Sequence, residues 1–299
     1  MNCRDHVGRT PLHVAIICKN VECANILIDA GARMTARLVG GRTSFHIAAQ
    51  TGQTSLVKKM LARSAYNEAK LAEDKIKAEE ADENSEVTGR VRMSSEDDWS
   101  SESDDDKPLQ KAPMKGDAEE SDPLEEDERP DLLDISNADW DFGITPLGYA
   151  VLSGSLEVID VLLAAGADPN HAGRAKGADP LHPLTLTIYI QDEDRAAKIA
   201  ERLVSAQAIS STADNNLLTI FHRMVISAKT KIVMSLLNLD PNSKKVLDFP
   251  AWAGQDLVFP PVSSILSGDY ATLSVLLAHG AKLVYSPEDA SRADRAKSA

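Results

Sequence analysis

The chain has 299 residues, of which 43% are hydrophobic, 4% aromatic and 26% charged, and its net charge is −14 at pH 7. A chain of this length usually holds about two domains, and with so few aromatic side chains its core must be built from Leu, Ile, Val and Ala in thin, stacked elements. Because nucleic acids and anionic membranes attract surfaces rich in Lys and Arg, the acidic balance argues against both as main partners.

The cysteines Cys3, Cys18 and Cys23 all lie near the start of the sequence. Their number is odd and no C-x-x-C pair is present, which argues against a disulfide scaffold and favours a reducing compartment. The first residues show neither a secretion signal nor an apolar run long enough to span a bilayer. We therefore expect a soluble protein inside the cell, in the cytoplasm or the nucleus.

A short motif recurs along the chain at a fixed distance. Gly8-Arg9-Thr10-Pro11-Leu12-His13 returns 33 residues later as Gly41-Arg42-Thr43-Ser44-Phe45-His46, and a third copy reads Gly143-Ile144-Thr145-Pro146-Leu147-Gly148. A second signal closes each copy 21 residues after its threonine, as Gly31-Ala32, Ser64-Ala65 and Gly166-Ala167. A period of this size is typical of repeat architectures, in which each unit stacks on its neighbours.

These residues resemble ankyrin repeats, whose signature is a Thr-Pro-Leu-His opening and a Leu-Leu-x-x-Gly-Ala close. The resemblance implies an all-α solenoid of about six helix-turn-helix repeats, with two copies before a long insert and four after it. Copies one and three match closely, and copy two carries Ser44 in the place of proline. Three later copies are degenerate; they run from His182-Pro183-Leu184 to Leu203-Val204, from Thr219 to Leu237 and from Phe259-Pro260 to Gly280-Ala281.

The local chemistry of copies one and three predicts the same helical units. Thr10 and Thr145 are N-cap residues followed by proline at the first helical position. In copy one this predicts a short helix over 11–19, and in copy three Gly154 separates the first helix from a second over 156–165. That second helix has one apolar face, formed by Val158, Ile159, Leu162 and Leu163.

Residues 66–135 interrupt the repeat pattern. The segment from Tyr66 to Glu80 is rich in Ala and in oppositely charged residues four positions apart, which predicts a helix that prolongs copy two. Beyond Ala81 the sequence is polar and acidic, which predicts disorder. Copies two and three should still stack across the insert, because loop-closure entropy grows slowly with length. The expected boundaries are 1–65 for copies one and two, 66–135 for the insert, 136–285 for copies three to six and 286–299 for a charged tail.

The acidity is concentrated between Glu96 and Glu128, where 15 acidic residues stand against three lysines and carry −12 of the net charge. Four serines in or near this tract precede an acidic residue by three positions, a pattern that resembles the target of casein-kinase-type kinases; they are Ser94, Ser95, Ser101 and Ser103. Each phosphate would add about −1.5 to −2 charges. The insert is either such a switch or a solvated linker with incidental serines. If the insert acts, it would bind a basic partner or self-associate with a basic surface.

The histidines do not form a pattern that predicts catalysis or metal binding. His13, His46 and His222 stand at the fourth position of the opening motif, where the ankyrin histidine typically hydrogen-bonds between neighbouring repeats. No Cys or Glu lies at the fixed offsets from these histidines or His182 that a zinc site would need. We expect no metal, cofactor or catalytic residue.

Three further features have simple structural interpretations. Cys18 and Cys23 are expected to be small buried side chains. The Gly40-Gly41 pair is expected at the tip of a hairpin, because no phosphate-binding glycine motif surrounds it. Asp192 to Arg195 is expected to be a solvated loop before a helix over 196–204.

The resemblance implies that partners dock on the hairpin tips and the first-helix face, at positions that the motif leaves free. In copy three, Phe142, Ile144 and Leu152 are expected to be exposed and to form an apolar patch with Trp140 and Tyr149. The alternative is that these side chains pack against the insert or the adjacent repeat. The implied partner-binding residues are His6, Val7, Arg9, Ile17, Cys18, Val39, Gly40, Arg42, Gln50, Thr51, Asp141, Phe142, Ile144, Leu152 and Ser153.

The first functional hypothesis is a non-catalytic, monomeric scaffold or adaptor that binds other proteins on the concave surface of the solenoid. A second hypothesis is the substrate-recruiting region of a larger enzyme. It follows from the missing polar cap before copy one and from a resemblance of the insert and the Trp140 segment to large fungal ankyrin proteins, some with a poly(ADP-ribose) polymerase-type domain. A third is an acidic chaperone, which predicts salt-sensitive binding of basic proteins through the acidic tract.

Overall fold

The computed structural model describes residues 3–88, 130–173, 181–214, 216–253 and 256–285. The chain divides into two compact units, one formed by Met1–Ser64 with Asp131–Ala299 and the other by Ala65–Pro130. The acidic tract lies outside the described residues, as do the tail 286–299 and the four serines at 94, 95, 101 and 103. The disorder of the tract therefore stays a prediction.

The described residues form thirteen α-helices, a short 3₁₀ turn at Thr187–Tyr189 and one antiparallel hairpin of β1 (Ala251–Ala253) and β2 (Asp256–Val258). The predicted helix over 66–80 lies within the long helix α4. The helices are α1 Pro11–Ile17, α2 Val21–Asp29, α3 Ser44–Gln50, α4 Thr54–Thr88, α5 Pro146–Ser153, α6 Leu156–Ala164, α7 Pro183–Leu186, α8 Glu193–Ser205, α9 Ile220–Ile226, α10 Thr230–Leu239, α11 Pro241–Lys245, α12 Pro260–Ser267 and α13 Tyr270–Ala278.

Twelve of these helices form six consecutive pairs, one for each copy of the repeat. The first helices pack on one another in chain order, α1 on α3, α3 on α5, α5 on α7, α7 on α9 and α9 on α12. One continuous apolar core runs through the stack, and the face of α6 predicted from periodicity contributes the fully buried Val158, Ile159 and Leu162. Burying each such side chain contributes about 1.5–3 kcal/mol. The prediction of an all-α solenoid of six helix-turn-helix repeats is confirmed.

The opening motif forms a capping box at the start of a first helix. In α1 the His13 N–H donates to Thr10 Oγ1, and the Thr10 N–H donates back to His13 Nδ1 at 3.1 Å. Reciprocal contacts of this kind occur at Thr43–His46 and Thr219–His222. In copy three a glycine replaces the histidine, and the Gly148 N–H donates to Thr145 Oγ1 at 3.2 Å. A capping side chain of this kind contributes about 1 kcal/mol.

Copies two and three contact each other although the insert separates them in sequence. Helix α3 packs against α5, and the Trp140 N–H donates to the Gly40 carbonyl at 3.0 Å. Near the end of the insert, the Asp131 carboxylate accepts hydrogen bonds from the backbone N–H groups of Met34 and Thr35, at the boundary of copies one and two, at 3.0 and 2.9 Å. The two copies therefore stack as the sequence predicts.

Two local predictions are wrong. Asp192 to Arg195 is not a loop, because Asp192 caps α8 by accepting from the N–H groups of Asp194 and Arg195 at 3.1 and 3.2 Å. Its neighbours form the first helical turn, where acidic residues favour the positive end of the helix dipole. Helix α1 ends at Ile17 and not at Lys19, because Lys19 has a φ of 55°. The structure also adds α11 and the β1–β2 hairpin between copies five and six, which the repeat pattern does not predict.

Candidate functional site

One exposed position recurs in all six copies, seven residues after the N-cap of the first helix. The N-caps are Thr10, Thr43, Thr145, His182, Thr219 and Phe259. The residues at this position, which we call the first-helix row, are Ile17, Gln50, Leu152, Tyr189, Ile226 and Leu266, and each is exposed. Because the first helices stack in order, these equivalent positions follow one another along the solenoid.

The first-helix row is apolar in five of its six members, with Tyr189 62% and Leu266 75% exposed. The next residue in each copy is also uncharged; these are Cys18, Thr51, Ser153, Ile190, Ser227 and Ser267. Twelve positions thus carry no charge, although 26% of the chain is charged. The centres of protein–protein interfaces are similarly depleted in charge, so the row has the composition of a binding surface.

The structure places most of the predicted partner-binding residues at the surface. Val7, Val39 and Phe142 stand on the hairpin tips of copies one to three, and Val39 is 77% exposed. Ile17, Gln50 and Leu152 belong to the first-helix row. His6, Cys18 and Asp141 are also exposed, whereas Arg9, Gly40, Arg42, Thr51 and Ser153 are half-buried.

Ile144 and Tyr149 do not belong to an exposed patch, contrary to the sequence prediction, because they are 6% and 4% exposed. The Tyr149 hydroxyl donates to the buried Asp139 carboxylate, which also accepts from the N–H groups of Phe142 and Ile144 at 3.0 Å each. Burial and the contact with Asp139 raise the pKa of Tyr149, so its hydroxyl stays a donor. The exposed apolar residues of copy three are Trp140, Phe142 and Leu152.

The hairpin tips of copies two and three touch, which explains the paired glycines. A Cβ on Gly40 would stand 2.1 Å from a carboxylate oxygen of Asp141, and one on Gly41 would stand 2.4 Å from the Trp140 ring. Gly41 also has a φ of 76°, which favours glycine. The Arg37 guanidinium lies 5.1 Å from the centre of the Trp140 ring and donates to the Gly41 carbonyl at 2.9 Å. Gly40 and Gly41 form the predicted turn, and these contacts hold the exposed Trp140 in place.

The buried histidines have structural partners. His46 Nε2 hydrogen-bonds to the Asn137 carbonyl at 2.9 Å, and His222 Nε2 bonds to the Phe249 carbonyl at 2.8 Å. Burial lowers the pKa values of His13, His46 and His222 to about 4, so the rings are neutral at pH 7. In copies two and five the neutral ring accepts at Nδ1 and donates at Nε2, so it joins a helix N-terminus to the next segment, as the resemblance implies.

Cys18 and Cys23 are exposed, which contradicts their predicted burial. Together with Cys3 they line a cleft on copy one beside Val14 and Leu27. Among the residues that the structure describes, no three or more His, Cys, Asp or Glu side chains are grouped closely enough to hold a metal ion. In that same part of the chain, no helix combines the length and the apolar character needed to cross a membrane.

The opening motif implies no partner-binding residues in copies four to six, yet Tyr189, Ile226 and Leu266 occupy the same row position there. His182 and Phe259 replace the N-cap threonine in copies four and six, so the motif gives no register. The proline that follows each of them marks the start of a helix. Tyr189 and Leu266 lie six positions after these prolines, and Ile226 lies seven positions after Thr219, so the sequence contains the signal for all three residues.

Comparisons with known proteins place these helix pairs among ankyrin repeats. A family model described as ankyrin repeats in three copies matches residues 1–71, and an ankyrin-repeat model matches residues 142–171. Inversin from Danio rerio is 38% identical over 61 residues, which is 20% of this chain and 6% of that protein. The ANK repeat-containing protein nipk-1 from Caenorhabditis elegans is 49% identical over 49 residues, 16% of this chain and 8% of that protein. The matches thus span a small part of these relatives.

Two solved structures share the fold over nearly the whole chain. The human ASB11 ankyrin repeat domain has a TM-score of 0.55 at 17% identity and aligns over 93% of this chain and 86% of that domain. The ankyrin repeat domain of Bcl-3, a member of the IkappaB family, has a TM-score of 0.54 at 15% identity, over 92% and 85%. At such low identity these likenesses show the fold alone.

Proposed function

Because this chain is an ankyrin-repeat protein, we propose that it is a non-catalytic adaptor that binds other proteins along the first-helix row and the hairpin tips. The observation that carries this proposal is the row itself, an exposed position that is uncharged in all six copies and apolar in five. A partner that lies along the stack would meet the row in one copy after another.

The stacked helices hold the first-helix row in a fixed arrangement before any partner binds. Four of the six first helices begin at a capping threonine, and each first helix buries residues along its core face, so the exposed row residue is fixed by its neighbours. A preformed surface loses little conformational freedom on binding, which favours affinity. Burying each exposed Leu, Ile or Tyr side chain would contribute about 1–3 kcal/mol.

The row predicts a specific outcome for affinity purification from the source cell. The variant Leu152→Lys with Tyr189→Lys places two charges in the row. We expect it to lose the bound partners about tenfold or more, because a charge buried without a pair is costly in an interface. Tagged whole chain and variant are compared by quantitative mass spectrometry.

The matched control is Ile26→Lys with Met234→Lys, which adds the same charge at exposed apolar positions on the second helices α2 and α10. We expect this control to keep the partners. Recovery of the same proteins at the same level by the row variant, folded by circular dichroism, would contradict the proposal.

A further inference from the structure

Copies one and two are basic within an otherwise acidic chain. Residues 1–65 contain nine Lys and Arg against three Asp and Glu, a net charge of +6. Residues 130–285, which hold copies three to six, contain 11 Lys and Arg against 17 Asp and Glu, a net charge of −6. The solenoid therefore presents opposite charge to a partner at its two ends.

The positive charge is greatest beside the first-helix row. The hairpins and first helices of copies one and two, at 3–19 and 36–52, contain one acidic residue, Asp5. Their five cations are Arg4, Arg9, Lys19, Arg37 and Arg42. By contrast, the equivalent stretch of copy three, 138–154, contains Asp139 and Asp141 and no cation.

The acidic residue on this surface is neutralised locally. Asp5 accepts the Arg9 Nε–H at 2.7 Å and the Arg9 and Val7 backbone N–H groups at 2.8 and 3.0 Å. The hydrogen bonds from Arg9, first of all the backbone one, lower the pKa of Asp5 to about 2. The exposed Asp141 of copy three lies at the edge of this surface and opposes the positive charge of the other four cations.

Exposed apolar side chains lie among these cations. Val7 and Val39, at 42% and 77% exposed, stand on the two hairpin tips, and Ile17, at 45%, belongs to the first-helix row. Arg4 and Arg37 are held in place, since Arg4 Nη1 donates to the Arg37 carbonyl at 2.7 Å and Arg37 Nη1 donates to the Gly41 carbonyl at 2.9 Å. The surface combines fixed cations with apolar anchors.

We propose that the hairpins and first helices of copies one and two bind an acidic segment of a partner protein that also carries apolar side chains. This inference rests on the proposed function and specifies which part of the partner lies over which copies. Guanidinium groups pair with carboxylates in a fixed geometry, and arginine clusters of this kind recognise acidic motifs. The acidic copies three to six repel such a segment, so charge also sets the orientation of the partner.

The test uses phage-displayed random peptides selected on the whole chain, including its acidic tract. Selected peptides should be enriched in Asp and Glu and should contain several apolar residues. Lys19→Gln with Arg42→Gln should weaken their binding about three- to tenfold at low salt, because two exposed or half-exposed charge pairs are lost. Raising the salt concentration from about 0.05 M to about 0.5 M should reduce that difference.

The matched control is Lys198→Gln with Lys244→Gln, which removes the same charge from exposed positions in α8 and α11. It should bind within about twofold of the unchanged chain. Arg42→Lys keeps the charge and should retain the acidic preference, which separates loss of charge from loss of the fold.

Two results would overturn the inference: selected peptides without an excess of acidic residues, or equal weakening by both double variants. The proposed function fails on a different measurement, the capture of cellular partners by the Leu152→Lys, Tyr189→Lys variant. Partners that depend on the row, combined with peptides that show no acidic preference, would remove this inference and leave the proposed function standing.

Discussion

The ring of the histidine in the opening motif makes hydrogen bonds through both of its nitrogens in copies two and five. Its Nδ1 accepts the N–H of the threonine that caps the helix, and in copies two and five its Nε2 bonds to a carbonyl of the segment that follows. The contact at Nδ1 needs the neutral ring, since a protonated ring has no acceptor there, whereas Nε2–H can donate in either state. Burial enforces the neutral state by lowering the pKa of each ring to about 4.

We expect the free energy of unfolding to fall as the pH drops from about 6.5 toward 4. In this window the unfolded chain protonates its histidines, whereas the folded chain keeps His13, His46 and His222 neutral until about pH 4. The unfolded state therefore binds more protons and is favoured. Each ring should cost about 1–2 kcal/mol at about pH 5, which urea unfolding at about pH 7.5 and about pH 5 measures.

The variant His222→Gln removes one of these rings and should flatten the pH dependence by about a third of the histidine contribution. His171→Gln, at an exposed loop residue, is the control and should leave it unchanged. An unaltered pH dependence in His222→Gln would show that the buried ring is not responsible.

The structural role of these histidines could be predicted because threonine and histidine lie within one motif. The burial of Ile144 could not, because it depends on the packing of copies three and four. Gly148 leaves room there: a Cβ on it would stand 2.8 Å from Ile144 Cγ2 and 3.0 Å from Leu186 Cδ1. The exposure of Cys18 and Cys23 could not be predicted either, because it depends on which face of copy one packs against the core, and the residue types do not specify that.

At the scale of the helical unit, the turn between the two helices has a fixed geometry. Nine residues after the N-cap the backbone is left-handed in five copies, with φ between 52° and 72°, at Lys19, Gly52, Gly154, Ala228 and Gly268. Glycine adopts this conformation without a steric penalty, whereas a residue with a Cβ pays about 1–2 kcal/mol. Copies one and five therefore carry backbone strain at Lys19 and Ala228.

Replacing either strained residue by glycine should stabilise the protein. We expect Lys19→Gly and Ala228→Gly each to raise the free energy of unfolding by about 0.5–1 kcal/mol, because relief of strain exceeds the added entropy of the unfolded chain. Both side chains are exposed, so little packing is lost. Urea midpoints measure the change.

Gly268→Ala is the reverse control. Gly268 has a φ of 72°, and a Cβ there would meet no atom within 4 Å. It should lower the free energy of unfolding by about 1 kcal/mol through the backbone alone. If all three substitutions shift the midpoint in the same direction, strain at this turn is not the cause.

The sequence predicted the helix pairs well where cap, proline and apolar period agree, as in copies one and three. Copies four to six are predicted only from their first and last residues, and the first helix of copy four, α7, is a single turn followed by a 3₁₀ turn. The sequence shows no sign of α11 and the β1–β2 hairpin, because residues 240–258 have no counterpart in the repeat. An acidic run resembles solvated sequence as much as a helix cap, so the role of Asp192 as the cap of α8 does not follow from the sequence.

At the scale of the whole molecule, the notable feature is continuity across the insert. Copies two and three are joined by helix packing and by the backbone bond from Trp140 to Gly40. In addition, the Asp131 carboxylate near the end of the insert bonds to Met34 and Thr35 at the boundary of copies one and two. That the copies stack could be predicted from the motif on each side. The role of Asp131 could not, because it belongs to the insert by composition and to the stack by its hydrogen bonds.

Removing this carboxylate should weaken the join. Asp131→Ala takes the acceptor from the Met34 and Thr35 N–H groups and from the Thr35 hydroxyl at 2.8 Å. We expect the free energy of unfolding to fall by about 1–3 kcal/mol, the cost of leaving such donors unpaired. Thermal unfolding measures the change.

Asp134→Ala is the matched control, since that exposed carboxylate accepts the nearby Ser136 N–H at 2.9 Å. It should change the stability much less than Asp131→Ala. Equal effects would mean that Asp131 acts through general charge and not through its bonds to copy one and the start of copy two.

The bonds of Asp131 and Trp140 have a consequence for chain topology. They join residues before position 89 to residues after position 129 without using any peptide bond in that interval. A protein severed anywhere in that interval would therefore consist of two polypeptides that still recognise each other, and halves produced separately should reassemble on mixing. The fold of this protein therefore does not require that its two parts belong to one continuous chain.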